Sequence, residues 1–269
     1  MELKVKDFDI CQIAESGQCF RWNKVGDKYI GIIGEHVCKI CQNGDVVSVS
    51  GIDESIFNRY FDIEVDYGKI KEFYSKDKVM CEAIKYGEGI RILNQDKFEV
   101  LISFIISANN NIPRIKKSVE AISRKYGKRL ENDFYSFPTP SELSRATEDE
   151  LKACGVGFRA KYIFNTCRKI LDGFDLEEVS KLPTNECKKE LMKLMGVGPK
   201  VADCVMLFSM QKKDSFPVDV WIKRIMEELY IGNEANIKDV ERFSKEKFGK
   251  YAGIAQQYLF FYAREKLKK

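Results

Sequence analysis

The spacing of hydrophobic positions changes near residue 66. Before it, apolar and polar residues alternate, with β-branched side chains, over residues 28–42 and 45–52, and an Asn43-Gly44 turn is expected between the two stretches. After it, apolar residues recur at helical spacing in residues 67–87, and in 95–111 they fill most of the helix circumference. We therefore predict an α+β fold, in which a small N-terminal antiparallel sheet leads into a mostly helical body.

The helical body is expected to contain many separate helices. The pattern predicts them at 112–126, 140–154, 159–172, 185–195, 200–210, 220–230 and 237–266. Thr139-Pro140-Ser141-Glu142 and Pro183-Thr184 carry helix-start signals. We expect residues 1–88 to form a β-rich domain with short helices, and residues 89–269 to form the helical domain.

Composition is typical of a globular protein and sets few limits on function. The chain has 269 residues, 44% of them hydrophobic and 12% aromatic, which is enough for one large domain or two modest ones. It has neither an apolar run of about 18 residues nor a secretory leader, so we expect a soluble intracellular protein, in the cytoplasm or nucleoid if the source is prokaryotic. The net charge of +4 tolerates an anionic partner without demonstrating one.

The nine cysteines are spread without a disulfide framework, which favours reduced thiols. Cys38 and Cys41 have the C-x-x-C spacing of a zinc site. Alternation along a strand would send them to opposite faces, no second C-x-x-C follows, and His36 is the only histidine. Buried free thiols are therefore the better interpretation of this pair, and we expect no metal site.

A Gly-Val-Gly turn occurs twice, at 155–157 and 196–198, and a basic helix is expected to follow each copy. Such turns are typical of helix–hairpin–helix elements, in which glycine lets a phosphate approach the backbone and the next helix offers unpaired N–H groups. A Walker A loop is excluded because Pro199 precedes Lys200 and Val201 follows it. A dinucleotide fingerprint is excluded because a third glycine and a preceding strand are missing.

Lys200 lies in the first turn of the helix that follows the second Gly-Val-Gly. Val201, Cys204, Val205 and Phe208 share one face of that helix and should pack inward. The helix dipole and partial desolvation would both favour a neutral amine at Lys200, which is the form that nucleophilic attack requires. A solvated lysine at a helix start remains the alternative.

Asp219 precedes the next helix, whose core face is expected to comprise Ile222, Ile225, Met226 and Leu229. It is well placed as an N-cap, which contributes about 1 kcal/mol without any catalytic role. The intervening helix has a length that lets the chain return and bring Asp219 back beside Lys200. A lysine after this turn, followed by Pro-Val-Asp at the next helix start, is a much rarer combination than either feature alone.

Six blocks of this sequence, in order, resemble the helix–hairpin–helix DNA glycosylase superfamily, and in particular the bifunctional 8-oxoguanine DNA glycosylase/AP lyases. They are ESGQCFRW at 15–22, SANNNIPRI at 107–115, GVGFRAKYI at 155–163, LMGVGPKVADCV at 194–205, PVDV at 217–220 and YAGIAQQYLF at 251–260. The resemblance implies a helical HhH-GPD body and excision of 8-oxoguanine from duplex DNA. It also implies strand cleavage by β-elimination.

The resemblance also implies the roles of the residues that form the base pocket. Lys200 would attack the sugar C1′ and form a Schiff base, and Asp219 would stabilise the positive charge that develops on the sugar. The remaining pocket residues would recognise the flipped base. The Gly17 carbonyl would accept from the N7–H of oxidised guanine, and Gln256 would bind the Watson–Crick edge. Cys204 and Phe260 would stack on the two faces of the base, and Pro217 would line the pocket.

A further set of residues would bind the DNA around the lesion. Asn109 would fill the gap that the extruded base leaves, and Arg114 and Arg159 would hydrogen-bond the orphaned cytosine, which predicts a preference for the lesion opposite cytosine. Gly196, Gly198 and Val201 of the second hairpin would also contact the DNA. Phe158 stands where the family has a tyrosine wedge, and Trp221 stands where it has a phosphate-contacting histidine.

The resemblance implies no required cofactor. No cysteine follows Cys204, so the four-cysteine iron–sulfur cluster of some relatives is not expected, whereas hairpin carbonyls could hold a structural monovalent cation. The expected partner is duplex DNA containing oxidised guanine. We expect a monomer that does not contact a membrane, and the sequence indicates no protein partner. Alternatives are excision of alkylated bases, a noncatalytic helix–hairpin–helix DNA-binding module and, more remotely, a metabolic Schiff-base enzyme.

Overall fold

The computed structural model describes residues 1–266, with backbone only for residues 265 and 266. Its N-terminal part is a five-stranded antiparallel sheet in the order β1-β5-β4-β3-β2. The strands are β1 (Glu2–Lys4), β2 (Trp22–Val25), β3 (Lys28–Ile33), β4 (His36–Asn43) and β5 (Val46–Ser50). Helix α1 (Ile10–Glu15) connects β1 to β2.

The turn between β4 and β5 lies one residue later than predicted. Asn43 pairs with Val46 in the ladder, so the two turn residues are Gly44 and Asp45 rather than Asn43 and Gly44. Of these two, Gly44 has a positive φ of 58°. Glycine at the first position of a two-residue hairpin loop accommodates that conformation without strain.

The C-x-x-C pair of β4 is divided between two environments. Cys38 is fully buried in the core of the sheet, as expected. Cys41 is only half-buried, contrary to the expectation of two buried thiols, and its Sγ lies 3.9 Å from Asp27 Oδ2. No group of three or more histidine, cysteine and acidic side chains within residues 1–266 could hold a metal ion.

The helical body confirms the predicted α+β class. Its helices are α2 (Glu54–Tyr60), α3 (Tyr67–Phe73), α4 (Lys78–Tyr86), α5 (Lys97–Ser107), α6 (Ile112–Tyr126), α7 (Pro140–Leu143), α8 (Glu148–Leu151), α9 (Ala160–Leu171), α10 (Leu176–Lys181), α11 (Thr184–Leu191), α12 (Pro199–Ser209), α13 (Val220–Met226), α14 (Ile237–Phe248) and α15 (Ala252–Lys266). Helix α5 is buried from Phe98 to Ile106 except at Glu99, and it packs on α6, α9 and α12, as its hydrophobic pattern predicted.

Four predicted helices have clearly different limits in the structure. The helix predicted at 185–195 spans Thr184–Leu191, so it ends four residues early. Residues 140–154 form two short helices, because Thr147 starts a second capping box with Glu150. Residues 237–266 are divided at Gly249, whose φ of 60° ends α14 before α15 begins. The predicted 220–230 helix ends at Met226 and widens into a π turn, which leaves Leu229 39% exposed instead of in the core.

The packing forms two hydrophobic cores. One lies between the sheet and helices α1 and α2, and it includes Trp22, Ile40 and Phe61. The other joins α3 and α4 to the remaining helices, so residues such as Met80 pack with the helical body. The predicted domain division after residue 88 remains a prediction. Among residues 1–266, no helix is both long enough and apolar enough to cross a bilayer.

Candidate active site

Helices α11 and α12 form the expected helix–hairpin–helix element. Gly196 has a φ of 83°, and a Cβ there would lie 2.6 Å from the Tyr162 ring of α9, so both conformation and close packing require glycine. Gly198 has a negative φ, and a Cβ there would meet nothing within 4 Å. The protein's own packing therefore does not explain Gly198, and the open space beside it suits the approach of a phosphate.

The start of α12 leaves backbone donors free for a ligand. The N–H of Ala202 bonds to the Gly198 carbonyl at 3.0 Å, whereas those of Lys200 and Val201 precede the first helical hydrogen bond. The Val201 side chain is buried, so its predicted DNA contact could involve only the backbone.

The first Gly-Val-Gly turn lies beside the hairpin. Gly155 and Gly157 both have positive φ, and Phe158 follows with 58% of its surface exposed. Its ring packs edge-on against Tyr162, the same side chain that covers Gly196. The two turns therefore contribute to one continuous face, with an exposed aromatic ring next to the hairpin.

A small cavity of about 40 Å³ lies at the junction of α5, α12, α15 and the loop after α1. It is lined by Gly17, Phe104, Lys200, Cys204, Phe208, Pro217, Asp219, Gln256, Gln257 and Phe260. The fold thus brings together every residue that was predicted to be catalytic or to bind the base. It also includes Phe104, Phe208 and Gln257, which were not predicted from the sequence to lie there.

Lys200 enters this cavity from the first turn of α12. Its Nζ lies 3.4 Å from Ser107 Oγ and 5.0 Å from the centroid of the Phe104 ring. Within the part of the chain that the structure describes, no carboxylate lies within 4.0 Å of this amine. The half-buried amine therefore faces an aromatic ring and a hydroxyl group, which differs from the environment of a solvated lysine at a helix start.

Asp219 caps α13 and also lines the cavity. Its Oδ1 accepts a hydrogen bond from the Ile222 N–H at 2.8 Å, as the sequence predicted, and Oδ2 accepts none from the described residues. Burial raises the pKa of the neighbouring Cys204 thiol to about 12, while Lys200 lowers it and Asp219 raises it. The Lys200 amine and the Asp219 carboxylate are therefore both close enough to Cys204 to shift the pKa of its thiol.

A buried polar network fixes the segment that leads to Asp219. Ser215 Oγ donates to Asp203 Oδ1 at 3.1 Å, and Lys188 Nζ lies 2.7 Å from Asp203 Oδ2 and 2.8 Å from Glu241 Oε1. Burial raises the pKa of Asp203 to about 6, although Lys188 opposes that shift. Because Asp203 belongs to α12, these bonds join the helix of Lys200 to the chain that carries Asp219.

The opposite wall combines the loop after α1 with α15. Gly17 has a φ of 83°, and a Cβ there would lie 3.1 Å from Cε1 of the Phe260 ring. Gln257 Nε2 donates to the Ser16 carbonyl at 2.7 Å. Gln256 is buried, and its Oε1 has no hydrogen-bond partner among the described residues. A buried unpaired acceptor is costly, which favours a ligand that donates to it.

The residues predicted to contact DNA around the lesion lie outside the cavity. Asn109 is exposed directly after α5, with a left-handed φ of 51°, and Arg114 is exposed on α6. Trp221 is 37% exposed at the start of α13. Arg159 is only 7% exposed, and its guanidinium donates to the carbonyls of Ala108, Asn109 and Val156. In this structure Arg159 therefore holds the loop of Asn109, an arrangement that the sequence did not predict.

Known protein families match this chain over both the N-terminal part and the helical body. Residues 1–101 match the N-terminal domain of 8-oxoguanine DNA glycosylase, and residues 102–250 match the HhH-GPD superfamily of base excision DNA repair proteins. A probable N-glycosylase/DNA lyase of Methanothermobacter thermautotrophicus is 35% identical over 78% of this chain and 73% of the relative. The N-glycosylase/DNA lyase of Saccharomyces cerevisiae is 30% identical over 96% of this chain and 85% of the relative.

A solved structure shows the same fold in a DNA complex. The Clostridium acetobutylicum 8-oxoguanine glycosylase/lyase, bound to double-stranded DNA with cytosine opposite 8-oxoguanine, superposes with a TM-score of 0.95 at 47% identity, over 98% of this chain and 94% of that chain. These matches establish that the chain belongs to the 8-oxoguanine DNA glycosylase/lyases of the HhH-GPD superfamily of base excision repair enzymes.

Proposed function

We propose that this enzyme excises 8-oxoguanine opposite cytosine from duplex DNA through a Schiff base at Lys200, and then cleaves the strand by β-elimination. The observation that carries the proposal is the position of the Lys200 amine in a cavity shared with the Asp219 carboxylate and the unpaired Gln256 Oε1. An amine, a carboxylate and an unpaired base-reading acceptor in one cavity are what this chemistry requires.

The reaction follows from the two charged groups. The neutral amine of Lys200 forms a bond to C1′ as the bond from C1′ to the base breaks, and the base leaves with a proton. Asp219 stabilises the positive charge that builds up on the sugar during this step. Opening of the sugar ring gives an imine between Lys200 and C1′, and removal of a C2′ proton then expels the 3′ phosphate.

Recognition of the base would use the opposite wall. The buried Oε1 of Gln256 accepts from the donors on the Watson–Crick edge of guanine, and the Gly17 carbonyl accepts from the N7–H of the oxidised base. The Gly17 carbonyl accepts no hydrogen bond from the residues described, so it is available. A cavity of about 40 Å³ is far below the size of a ligand pocket, so Phe260 must move away from Cys204 before the base enters.

Preference for cytosine would come from the exposed face. The exposed Arg114 side chain has no hydrogen-bond or ion-pair partner among the described residues, so it can donate to the orphaned base. Arg159 would have to exchange a loop carbonyl for the same purpose, while Asn109 fills the gap in the stack. Cytosine offers neighbouring acceptors that adenine does not match. The Clostridium relative holds cytosine opposite the lesion, which supports this part of the proposal. A monovalent cation on the hairpin carbonyls stays a prediction.

The proposal is tested with a labelled duplex containing a single 8-oxoguanine opposite cytosine. Wild type should release the base and cleave the strand, whereas Lys200→Gln should do neither and should still bind the lesion. Lys193→Gln is the matched control, because Lys193 is an exposed lysine of the same hairpin that pairs with Glu190. Full excision by Lys200→Gln would contradict the assigned nucleophile, and equal excision opposite adenine would contradict the cytosine preference.

A further inference from the structure

Among the described residues, one hydrogen bond connects the loop of Ser16 and Gly17 to helix α15. Gln257 lies on α15 beside Gln256, it is 2% exposed, and its Nε2 donates to the Ser16 carbonyl at 2.7 Å. The two partners are 241 positions apart in sequence, so the bond forms only in the folded molecule. Gln257 also lines the cavity, next to the residues proposed to contact the base.

The other bonds of this loop lead to the N-terminal part of the chain and to the segment before α5. Gln18 Nε2 donates to Ser16 Oγ at 2.9 Å, and Gln18 Oε1 accepts from the Leu93 N–H at 2.8 Å. Gln95 Nε2 donates to the Gln18 carbonyl, also at 2.8 Å. These bonds fix the shape of the loop around Gly17, but none of them sets its distance from α15.

The distance between this loop and α15 decides how a bound base is read. Gln256 and Phe260 belong to α15, whereas the Gly17 carbonyl belongs to the loop, so one base can contact all three only at one separation of the two elements. Hydrogen bonds form over a narrow range of about 2.7–3.2 Å between heavy atoms. A shift of the loop by less than 1 Å would therefore remove the Gly17 contact to the N7–H of the lesion.

We propose that Gln257 is a positioning residue, which holds the Ser16–Gly17 peptide at the separation from α15 where the Gly17 carbonyl distinguishes 8-oxoguanine from guanine. This inference rests on the proposed function. Undamaged guanine has a bare N7 and presents an acceptor to the Gly17 carbonyl, so discrimination depends on close approach of that carbonyl.

Two substitutions at Gln257 distinguish the effect of losing the Nε2 hydrogen-bond donor from the effect of changing the size of the side chain. Gln257→Glu keeps the size but places a carboxylate oxygen against the Ser16 carbonyl, which pushes the two apart. Gln257→Leu removes the donor without adding charge. Gln12→Glu is the matched control. Among the described residues, the Gln12 side chain bonds only through its Oε1, which accepts from the Gly89 N–H, and a carboxylate preserves that bond.

The expected result is a selective loss of lesion recognition. In a Lys200→Gln background, the ratio of binding to 8-oxoguanine duplex over guanine duplex should fall by roughly tenfold in both Gln257 variants, as for one lost hydrogen bond. With Lys200 present, excision of 8-oxoguanine should fall while cleavage at a preformed abasic site stays at the wild-type rate. Gln12→Glu should change neither.

The pH dependence gives a readout that a purely structural role would not change. A protonated carboxyl at position 257 can donate to the Ser16 carbonyl, so excision by Gln257→Glu should recover relative to wild type as the pH falls, and excision by Gln257→Leu should not. Unchanged lesion preference in both variants, or an equal loss of excision and abasic-site cleavage, would overturn the inference. Failure of the proposed function itself would show separately, as a lack of lesion preference in the protein with native Gln257.

Discussion

Asp219 uses its two carboxylate oxygens in different ways. Oδ1 caps α13 through the Ile222 N–H, while Oδ2 has no hydrogen-bond partner among the described residues and the side chain lines the cavity with Lys200. The sequence predicted that Asp219 caps a helix and that it lies near Lys200, and in the structure it caps α13 and shares a cavity with Lys200. These two contributions can be separated, because a cap needs an oxygen atom and electrostatic stabilisation needs a charge.

Asp219→Asn should lower turnover on an 8-oxoguanine duplex by roughly 100-fold or more, because the amide carries no charge to stabilise the sugar cation. Its melting temperature should stay within about 3 °C of wild type, because the amide oxygen still caps the helix. Asp219→Ala, which loses charge and cap together, serves as the comparison. Unfolding of Asp219→Asn, or full turnover with the fold intact, would contradict the catalytic assignment.

A site residue could be predicted from the sequence only when its neighbours in the chain marked it. Lys200 and Asp219 stand at helix starts next to glycine and proline, so the residues themselves raised both as candidates. Gly17 and Gln256 could be assigned only through the family resemblance. Phe104 was missed because apolar residues fill most of the α5 circumference and no face of it is distinguished. Gln257 was missed because its partner, Ser16, is 241 positions away.

At the scale of elements, the hairpin depends on one of its glycines far more than on the other. Gly196 combines a positive φ with direct packing on Tyr162 of α9, whereas Gly198 has a negative φ and open space around it. The sequence presents both as members of the same Gly-Val-Gly pattern. Only the structure shows that Gly196 holds the hairpin together and that Gly198 leaves room for a ligand.

Gly196→Ala should destabilise the protein by about 2 kcal/mol or more, since alanine is strained at this φ and its methyl group would overlap the Tyr162 ring. Gly198→Ala should change the free energy of unfolding by less than about 0.5 kcal/mol but weaken binding to duplex DNA. Urea unfolding and a DNA titration measure the two effects. Equal stability of the two variants would show that Gly196 is not required by the packing.

Helix limits were predictable where the signal lies within a few residues. The capping box at Thr139 marked the start of α7 correctly. The long pattern over 237–266 hid the break at Gly249, because apolar spacing continues across it. Leu229 continues the apolar spacing of α13, yet the π turn after Met226 rotates it to the surface. A π turn is rare in helices, and the apolar spacing of α13 does not reveal it.

At the scale of the whole molecule, a buried ion pair connects the N-terminal part to the helical body. Arg21 precedes β2, and its Nη1 lies 3.8 Å from Oε2 of Glu99 on α5. The Glu99 side chain is 14% exposed. Burial raises the pKa of Glu99 to about 7, Arg21 opposes this shift, and Asp96 adds to it. The two parts of the fold are therefore coupled through a carboxyl group that titrates near neutral pH.

This coupling predicts how stability depends on pH. Folded Glu99 binds its proton more strongly than the unfolded chain, so its contribution to the free energy of unfolding should fall as the pH rises from about 4.5 to about 7, by an amount on the order of 3 kcal/mol. In Glu99→Gln this part of the pH dependence should disappear. Urea unfolding of both proteins between pH 5 and pH 8 measures it, and parallel stability profiles would contradict the shifted titration.

Borohydride trapping with peptide mapping shows which amine attacks the sugar, and so tests whether Lys200 is the nucleophile. The enzyme is mixed with duplex DNA carrying a single 8-oxoguanine opposite cytosine, the imine is reduced as it forms, and the attached peptide is identified by mass spectrometry. We expect a covalent adduct at Lys200 that is absent from Lys200→Gln and unchanged in Lys193→Gln. An adduct on another lysine, or one formed equally well by Lys200→Gln, would contradict the assignment of Lys200 as the nucleophile.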